Sequence, residues 1–247
     1  MEKTVKKSNS KRNISKLNEN FRESICDYAI EHNLKCAHAL LVLKATGCRP
    51  DELQKGVRVN IKGDVLTFKI IGSKYNVRMK RGIAIREIKV KINEDNAKYL
   101  NPLKEIFDKN PGAYDYKVSI ESKVAFTGYI TKISKRLWPR KKNHASAYSF
   151  RHAKATELKN SDKSDIEIAQ IMGHASTRAQ QSYGRRNRRS NVGSLDICDV
   201  ETSSKPRGGD RLLRFKIANK NKASQKLSEG ISASQPATTA PVRKLKR

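Results

Sequence analysis

The run IMGHASTRAQQSYGRR sets Tyr183 nine residues after His174, and an earlier run, SFRHAKATEL, holds Arg151 and His152. A phenol is a competent nucleophile toward a phosphodiester: its oxygen attacks phosphorus and keeps one end of the cut strand as a covalent ester. Such chemistry requires cations that take up the charge developing on the phosphate. Arginines at two places in the chain are suited to that work.

The run ATGCRPDEL puts Arg49 directly before Pro50, Asp51 and Glu52, a pattern that fits the first turn of a helix. Free backbone N–H groups at a helix start attract an anion, and a guanidinium grips two phosphate oxygens in a fork. An ion pair of Arg49 with Glu52 is the plainer alternative. In AYSFRHAKATEL, Ser149 is expected to cap a helix whose first turn carries Arg151 and His152 toward the same kind of anion site. In KSDIEIAQIMGHAS, Ser164 and Glu167 match a capping box, an apolar helix follows, and Gly173 ends it. His174 then stands in a loop at a defined orientation, where it could donate a hydrogen bond to a phosphate oxygen. Tyr183 is expected on a short helix begun near Ser176. Taken one at a time, these residues have bland roles as well: a solvated arginine, a satisfied histidine, a packed tyrosine.

The elements that must position them follow from periodicity. Residues 1–17 are rich in Lys, Ser and Asn without a repeat, and are expected to form a disordered basic arm. Phe21, Ile25, Tyr28 and Ala29 recur at helical spacing, and CAHALLVLKATG is expected as a buried helix stopped by Gly47. The period then shortens: VRVNIKGDVLTFKIIGSKYN and RGIAIREIKV have the β-branched runs and turn residues of a small antiparallel sheet. Helical patterning returns over 94–110 and 118–137 and continues to about residue 186. Beyond residue 190 the chain turns to Ser, Gly, Lys, Thr and Pro, and 191–247 is expected to be a disordered basic tail in which only RLLRFKIANK could form a helix or strand. The expected fold is therefore α+β: a mainly helical domain over 18–190 with a small antiparallel sheet, flanked by disordered basic arms.

Charge narrows the partner. Over 247 residues, 53 Lys and Arg stand against 24 Asp and Glu, a formal net charge of +29. Residues 1–20 carry +4 and residues 191–247 carry +7, leaving +18 on the central segment. A polyanion-binding surface is thus built into the domain itself, and nucleic acid is the leading partner. Cys26, Cys36, Cys48 and Cys198 show no C-x-x-C pairing, so neither a zinc site nor a disulfide framework is indicated. No apolar run approaches the roughly 20 residues of a membrane span, and the expected location is the cytoplasm.

In this order the motifs ATGCRPDEL, SFRHAKATEL and IMGHASTRAQQSY resemble those of the tyrosine recombinase (phage integrase) family, over about residues 20–190. The resemblance implies a role for each matching position. Arg49 and Arg151 would be the two phosphate-binding arginines, His174 the third-motif histidine and Tyr183 the nucleophile. Lys74, in IIGSKYN on the hairpin of the sheet, would protonate the leaving 5′ oxygen, with Lys80 as the alternative; His152 would be a supporting group. The implied partner is double-stranded DNA, bound by a homo-oligomer, a tetramer by family resemblance. The implied reaction is strand cleavage and rejoining through a 3′-phosphotyrosine, with no ATP, metal or other cofactor.

Two features depart from the family pattern. Three residues before the second arginine, where a histidine is usual, stands Tyr148, whose phenol is a poor general base near neutrality because its reference pKa is about 10. The family also usually carries a separate helical domain before the catalytic one, and only 48 residues precede Arg49. Both features support a second reading, a non-catalytic DNA-binding relative. A generic basic RNA-binding protein is a third; it leaves the order of the motifs unexplained.

Overall fold

The computed structural model describes residues 14–183 and 197–208. RLLRFKIANK and most of both basic arms lie outside the described residues. A 3₁₀ turn, Ile14–Lys16, precedes α1 (Phe21–Glu31) and α2 (Ala37–Thr46). Five of the eleven residues of α1 and most of α2 are buried, as their apolar spacing requires. Gly47 ends α2 in the left-handed region at φ 61°, and its N–H donates to the Leu43 carbonyl, 2.9 Å away. Three residues later Pro50 opens α3 (Pro50–Lys55) at the position where a missing N–H costs nothing.

The sheet follows: β1 (Val57–Lys62), β2 (Val65–Ile71) and β3 (Ile85–Lys91) form an antiparallel meander. On β2 and β3, Leu66, Phe68 and Ile70 and then Arg86, Ile88 and Val90 share the buried face, the alternation expected of a sheet covered on one side. After α4 (Ala97–Lys109) a short strand β4 (Tyr116–Val118) pairs with β1. Then come α5 (Lys123–Leu137), α6 (Ala147–Asn160), α7 (Asp165–Ile171) and a 3₁₀ helix, Thr177–Ser182. The architecture is α+β, with seven α-helices among the described residues.

Two expectations about the ends are corrected. Residues 14–16 are part of a turn rather than of a disordered arm. More consequentially, the chain does not stop contributing at residue 190: β5 (Ile197–Thr202) pairs antiparallel with β3 and completes a sheet of order β4-β1-β2-β3-β5. The strand ICDVET buries only Ile197 and so gives almost no hydrophobic signal. It is held by the open backbone edge of β3 and by Lys89, which pairs with both Asp199 and Glu201. The chain then returns toward the motif region. The Arg207 N–H donates to the Ala175 carbonyl at 2.9 Å, and the Arg207 carbonyl accepts from Thr177 N–H at 3.0 Å.

Candidate active site

Arg151 is built into the interior rather than presented at a helix start. The cap of α6 is Ser146, not Ser149: Ser146 Oγ accepts from Ser149 N–H at 3.3 Å, while Ser149 Oγ accepts from Ser146 N–H at 3.1 Å. That reciprocal box begins the helix three residues early, so Arg151 and His152 lie past its first turn. The helix-start anion site expected around Arg151 is therefore absent. Instead, Arg151 is 1% exposed, and its guanidinium donates Nη1 to the Gly47 carbonyl (2.7 Å), Nη2 to the Met172 carbonyl (2.6 Å) and Nε to Tyr183 Oη (2.9 Å).

His174 arrives by the local route expected. Ser164 and Glu167 form the capping box of α7, Met172 closes the helix, and Gly173 turns left-handed at φ 65°. The His174 N–H donates back to the Ala169 carbonyl at 2.8 Å and Gly173 N–H to the Gln170 carbonyl at 3.0 Å, which fixes the turn. His174 Nε2 lies 3.2 Å from Arg151 Nη2 and 3.3 Å from Tyr183 Oη. A guanidinium only donates, so Nε2 is assigned as the acceptor from Arg151 and the ring proton to Nδ1, a buried atom with no hydrogen-bond partner among the described residues. Burial first, then the charges of Arg151 and Arg49, hold His174 well below the ordinary histidine pKa, so the imidazole is neutral at pH 7.

Tyr183 closes the 3₁₀ helix capped by Ser176, whose Oγ accepts from Arg178 N–H at 3.3 Å. Lys159 Nζ donates to the Gln180 carbonyl at 2.7 Å and to that of Tyr183 at 3.2 Å, and Gln180 Nε2 to the Asp165 carbonyl, which anchors the turn to α6 and α7. The phenol ring stands between two imidazoles, with centroids 4.9 Å from His152 and 5.3 Å from His174. Arg151, His174 and Tyr183, three of the six residues singled out, are thus brought into direct contact.

Arg49 joins them through charge. It caps α3 with extended backbone, and Glu52 receives both its N–H (2.8 Å) and its Nη1 (2.8 Å), so the plainer alternative, an Arg49–Glu52 ion pair, is realised. Its charge is among the largest influences lowering the pKa of Arg151, second to burial. Tyr148, on the first turn of α6, is part-exposed; burial and the Asp51 carboxylate raise its pKa above the ordinary phenol value, against the pull of Arg49 and Arg151. Tyr148 therefore keeps its proton at neutral pH. Lys74 is not brought to the cluster: it is exposed on the β2–β3 hairpin, beside an open cleft of about 540 Å³ shared with Asp51, Gln54, Lys55 and Ser73.

Four residues that the motifs did not single out complete the setting. Arg86 is fully buried, and its Nη2 and Nη1 reach Glu52 Oε2 and Oε1 at 2.7 and 3.3 Å. The signal for it was an arginine on the inward register of β3, where Ile88 and Val90 are apolar. Lys154, one turn after Arg151, is also fully buried and pairs with Glu157 at 2.9 Å; Glu157 in turn takes Arg22 at 2.7 Å. Burial would raise the Glu157 carboxyl, but these two cations outweigh it and bring its pKa down to about 2. A methyl group on Gly47 would meet the Lys154 Cβ and Cγ at 2.9 Å, so the turn whose carbonyl holds Arg151 packs closely against the aliphatic stem of Lys154.

No protein-family model matches the sequence, and no curated protein matches it. Solved structures do. A post-cleavage complex of XerH site-specific recombinase with palindromic difH substrate is 19% identical at a TM-score of 0.48, covering 68% of this chain and 48% of that one. XerA recombinase is 19% identical at 0.48, covering 70% and 60%. The Tn1549 transposon integrase in complex with transposon right end DNA is 15% identical at 0.45, covering 69% and 62%. The chain thus spans less than two thirds of the length of each.

Proposed function

We propose that this chain is the catalytic domain of a tyrosine recombinase, a site-specific enzyme that cuts and rejoins double-stranded DNA through a 3′-phosphotyrosine. The observation that carries the proposal is the contact of Tyr183 Oη with Arg151 Nε at 2.9 Å and with His174 Nε2 at 3.3 Å. A nucleophile, a cation that cannot lose its proton and a neutral imidazole meet at one oxygen.

In the proposed reaction, the scissile phosphate enters between Arg49 and Arg151, which neutralise its non-bridging oxygens. Tyr183 loses its proton to solvent and attacks phosphorus in line; the P–O5′ bond breaks as the Tyr183–phosphate bond forms. Lys74 supplies the proton that leaves with the 5′ hydroxyl, with Lys80 as the alternative donor on the same hairpin. Attack by the 5′ hydroxyl of another strand reverses the steps and rejoins DNA, and the energy of the broken bond is kept in the ester, so ATP is not consumed. Action on two duplexes implies a homo-oligomer on DNA, a tetramer by the family resemblance. The cytoplasm is the expected place of action, with the protein associated with the bacterial nucleoid or encoded by a phage or mobile element.

The test is covalent capture. Duplexes recovered from a randomised pool by repeated binding are nicked beside each candidate cleavage point, so that the 5′ fragment diffuses away and religation fails. The native chain should accumulate a protein–DNA adduct that Tyr183→Phe does not form. An adduct that persists in Tyr183→Phe, or specific binding with no adduct on any nicked duplex, rejects the proposal. The second of these results is the one expected of the non-catalytic DNA-binding alternative. Tyr148 favours that alternative: it holds its proton where the family resemblance leads one to expect a histidine.

A further inference from the structure

Tyr183 closes a 3₁₀ helix of six residues, a kind of helix whose hydrogen bonds are poorly aligned and whose last carbonyls have no partner within it. The Tyr183 N–H donates to the Gln180 carbonyl at 3.1 Å. An attacking atom misplaced by about 1 Å costs on the order of 100-fold in rate, so the phenol needs more than that one bond to stay in place.

The rest comes from α6. Arg151 Nε donates to the phenol oxygen at 2.9 Å, and the His152 ring lies 4.9 Å from the phenol ring. Lys159 follows His152 by seven residues, about two turns, so the two side chains leave one stripe of the helix. Its Nζ donates to the Gln180 carbonyl at 2.7 Å and to the Tyr183 carbonyl at 3.2 Å, where the negative end of the short helix favours a cation. One helix thus grips the tyrosine at its oxygen, its ring and its main chain. Gln180 carries the grip on to α7, since its Nε2 donates to the Asp165 carbonyl. Lys159 stands one residue past the run SFRHAKATEL and reaches the tyrosine through its main chain.

We propose that Lys159 is a positioning residue for the nucleophile: by holding the Gln180 and Tyr183 carbonyls it sets the phenol oxygen at the point where Arg151 and His174 meet it. The ammonium acts through Tyr183 and holds no phosphate itself. The proposal rests on the recombinase reading for what the held phenol attacks, and not for the hold.

The test uses the full chain with Lys159→Met, which keeps the apolar stem and loses the ammonium, and Lys159→Arg, whose forked donors can serve both carbonyls. Single-turnover adduct formation is followed at saturating nicked duplex, below the melting point of each variant. Lys159→Met should form the adduct at least about tenfold more slowly, and Lys159→Arg at within about threefold of the native rate. Duplex affinity should stay within a few-fold of native in both, at an unchanged salt slope. A native rate in Lys159→Met overturns the proposal, and so does a slow rate that Lys159→Arg does not restore. A salt slope reduced by about 1 in Lys159→Met also overturns it, because Lys159 would then hold a phosphate.

A second readout needs no cleavage. Fluorine NMR of 3-fluorotyrosine in place of Tyr183 should show a resonance displaced from that of the unfolded chain by the two neighbouring imidazoles. Lys159→Met should move it toward the unfolded position, and Lys159→Arg should leave it. A resonance unmoved in Lys159→Met overturns the hold even where no duplex is cut. A resonance that moves as expected, with no adduct from the native chain on any nicked duplex, keeps the hold and removes the recombinase reading alone.

Discussion

Arg86 and Glu52 form a two-pronged ion pair in which neither side chain touches solvent. Glu52 also receives the Arg49 backbone and guanidinium, and Arg86 Nε donates to the Ile171 carbonyl at 2.9 Å. One carboxylate thereby joins the arginine at the start of α3 to the turn that presents His174. Burial alone would raise the Glu52 pKa, but Arg86 and Arg49 outweigh it and hold the carboxyl far below the usual carboxylate range.

Removing one partner of a buried pair strands the other charge, so Arg86→Met should lower stability by about 3–5 kcal/mol. Replacing both, as Arg86→Met with Glu52→Leu, should cost less than the sum of the single changes. Urea unfolding midpoints of the four proteins measure the coupling, and strict additivity would count against the pair as a unit.

Gly173 and Gly63 separate backbone strain from crowding. Both have positive φ, 65° and 59°, but a methyl group at Gly173 would meet Arg86 Nη1 at 2.7 Å, while at Gly63 it would meet nothing. Gly63→Ala should cost about 1–2 kcal/mol, the left-handed penalty alone. Gly173→Ala should cost at least about 1 kcal/mol more, because Arg86 has no free space in which to yield. Equal losses of thermal stability would show that Arg86 does not crowd this turn.

Arg151→Lys keeps the charge and loses the fork. A lysine cannot reach the Gly47 carbonyl, the Met172 carbonyl and Tyr183 Oη together, so at least one buried carbonyl loses its donor, at about 1–3 kcal/mol. The variant should still bind duplex DNA within a few-fold of the native chain, because many other cations remain, and should form no adduct on nicked DNA. Adduct formation at the native rate would remove Arg151 from the chemistry.

His174 predicts a pH dependence. Its folded pKa lies well below the ordinary 6.5, with burial as the main cause, so as pH falls below about 6.5 the unfolded chain takes up a proton that the folded chain refuses. In that window the unfolded state binds more protons and stability falls with pH; above it the histidine contributes no slope. Denaturation midpoints measured from pH 7.5 down to 5 should fall more steeply for the native chain than for His174→Gln. Parallel curves would place the histidine in water rather than against Arg151.

The parts of this architecture that neighbours along the chain decide were legible in the residues. Ser164 with Glu167, Gly173 after α7, Gly47 after α2 and Pro50 after Arg49 each act within a few residues, where a cap or a glycine has the same meaning in any fold. The β-branched runs and turn residues over β1 to β3 likewise announced a small antiparallel sheet. Capping was also where a local signal misled, since Ser146 and Ser149 both suit a helix start and only their reciprocal bonds choose between them.

What residue order left open is what depends on chain segments meeting. Arg151 is held by the carbonyl of Gly47, 104 residues away, and its loss from a helix-start site could not be read from its own neighbours. ICDVET has the composition of a polar tail and became a strand because β3 offered an unpaired edge. Local propensity is a property of a few residues, whereas an open sheet edge, a buried carbonyl or a carboxylate shared by Arg49 and Arg86 exists only after the chain has closed on itself. The sequence by itself determined the chemistry of Tyr183, His174 and the arginines; the tertiary structure alone decided which of them touch.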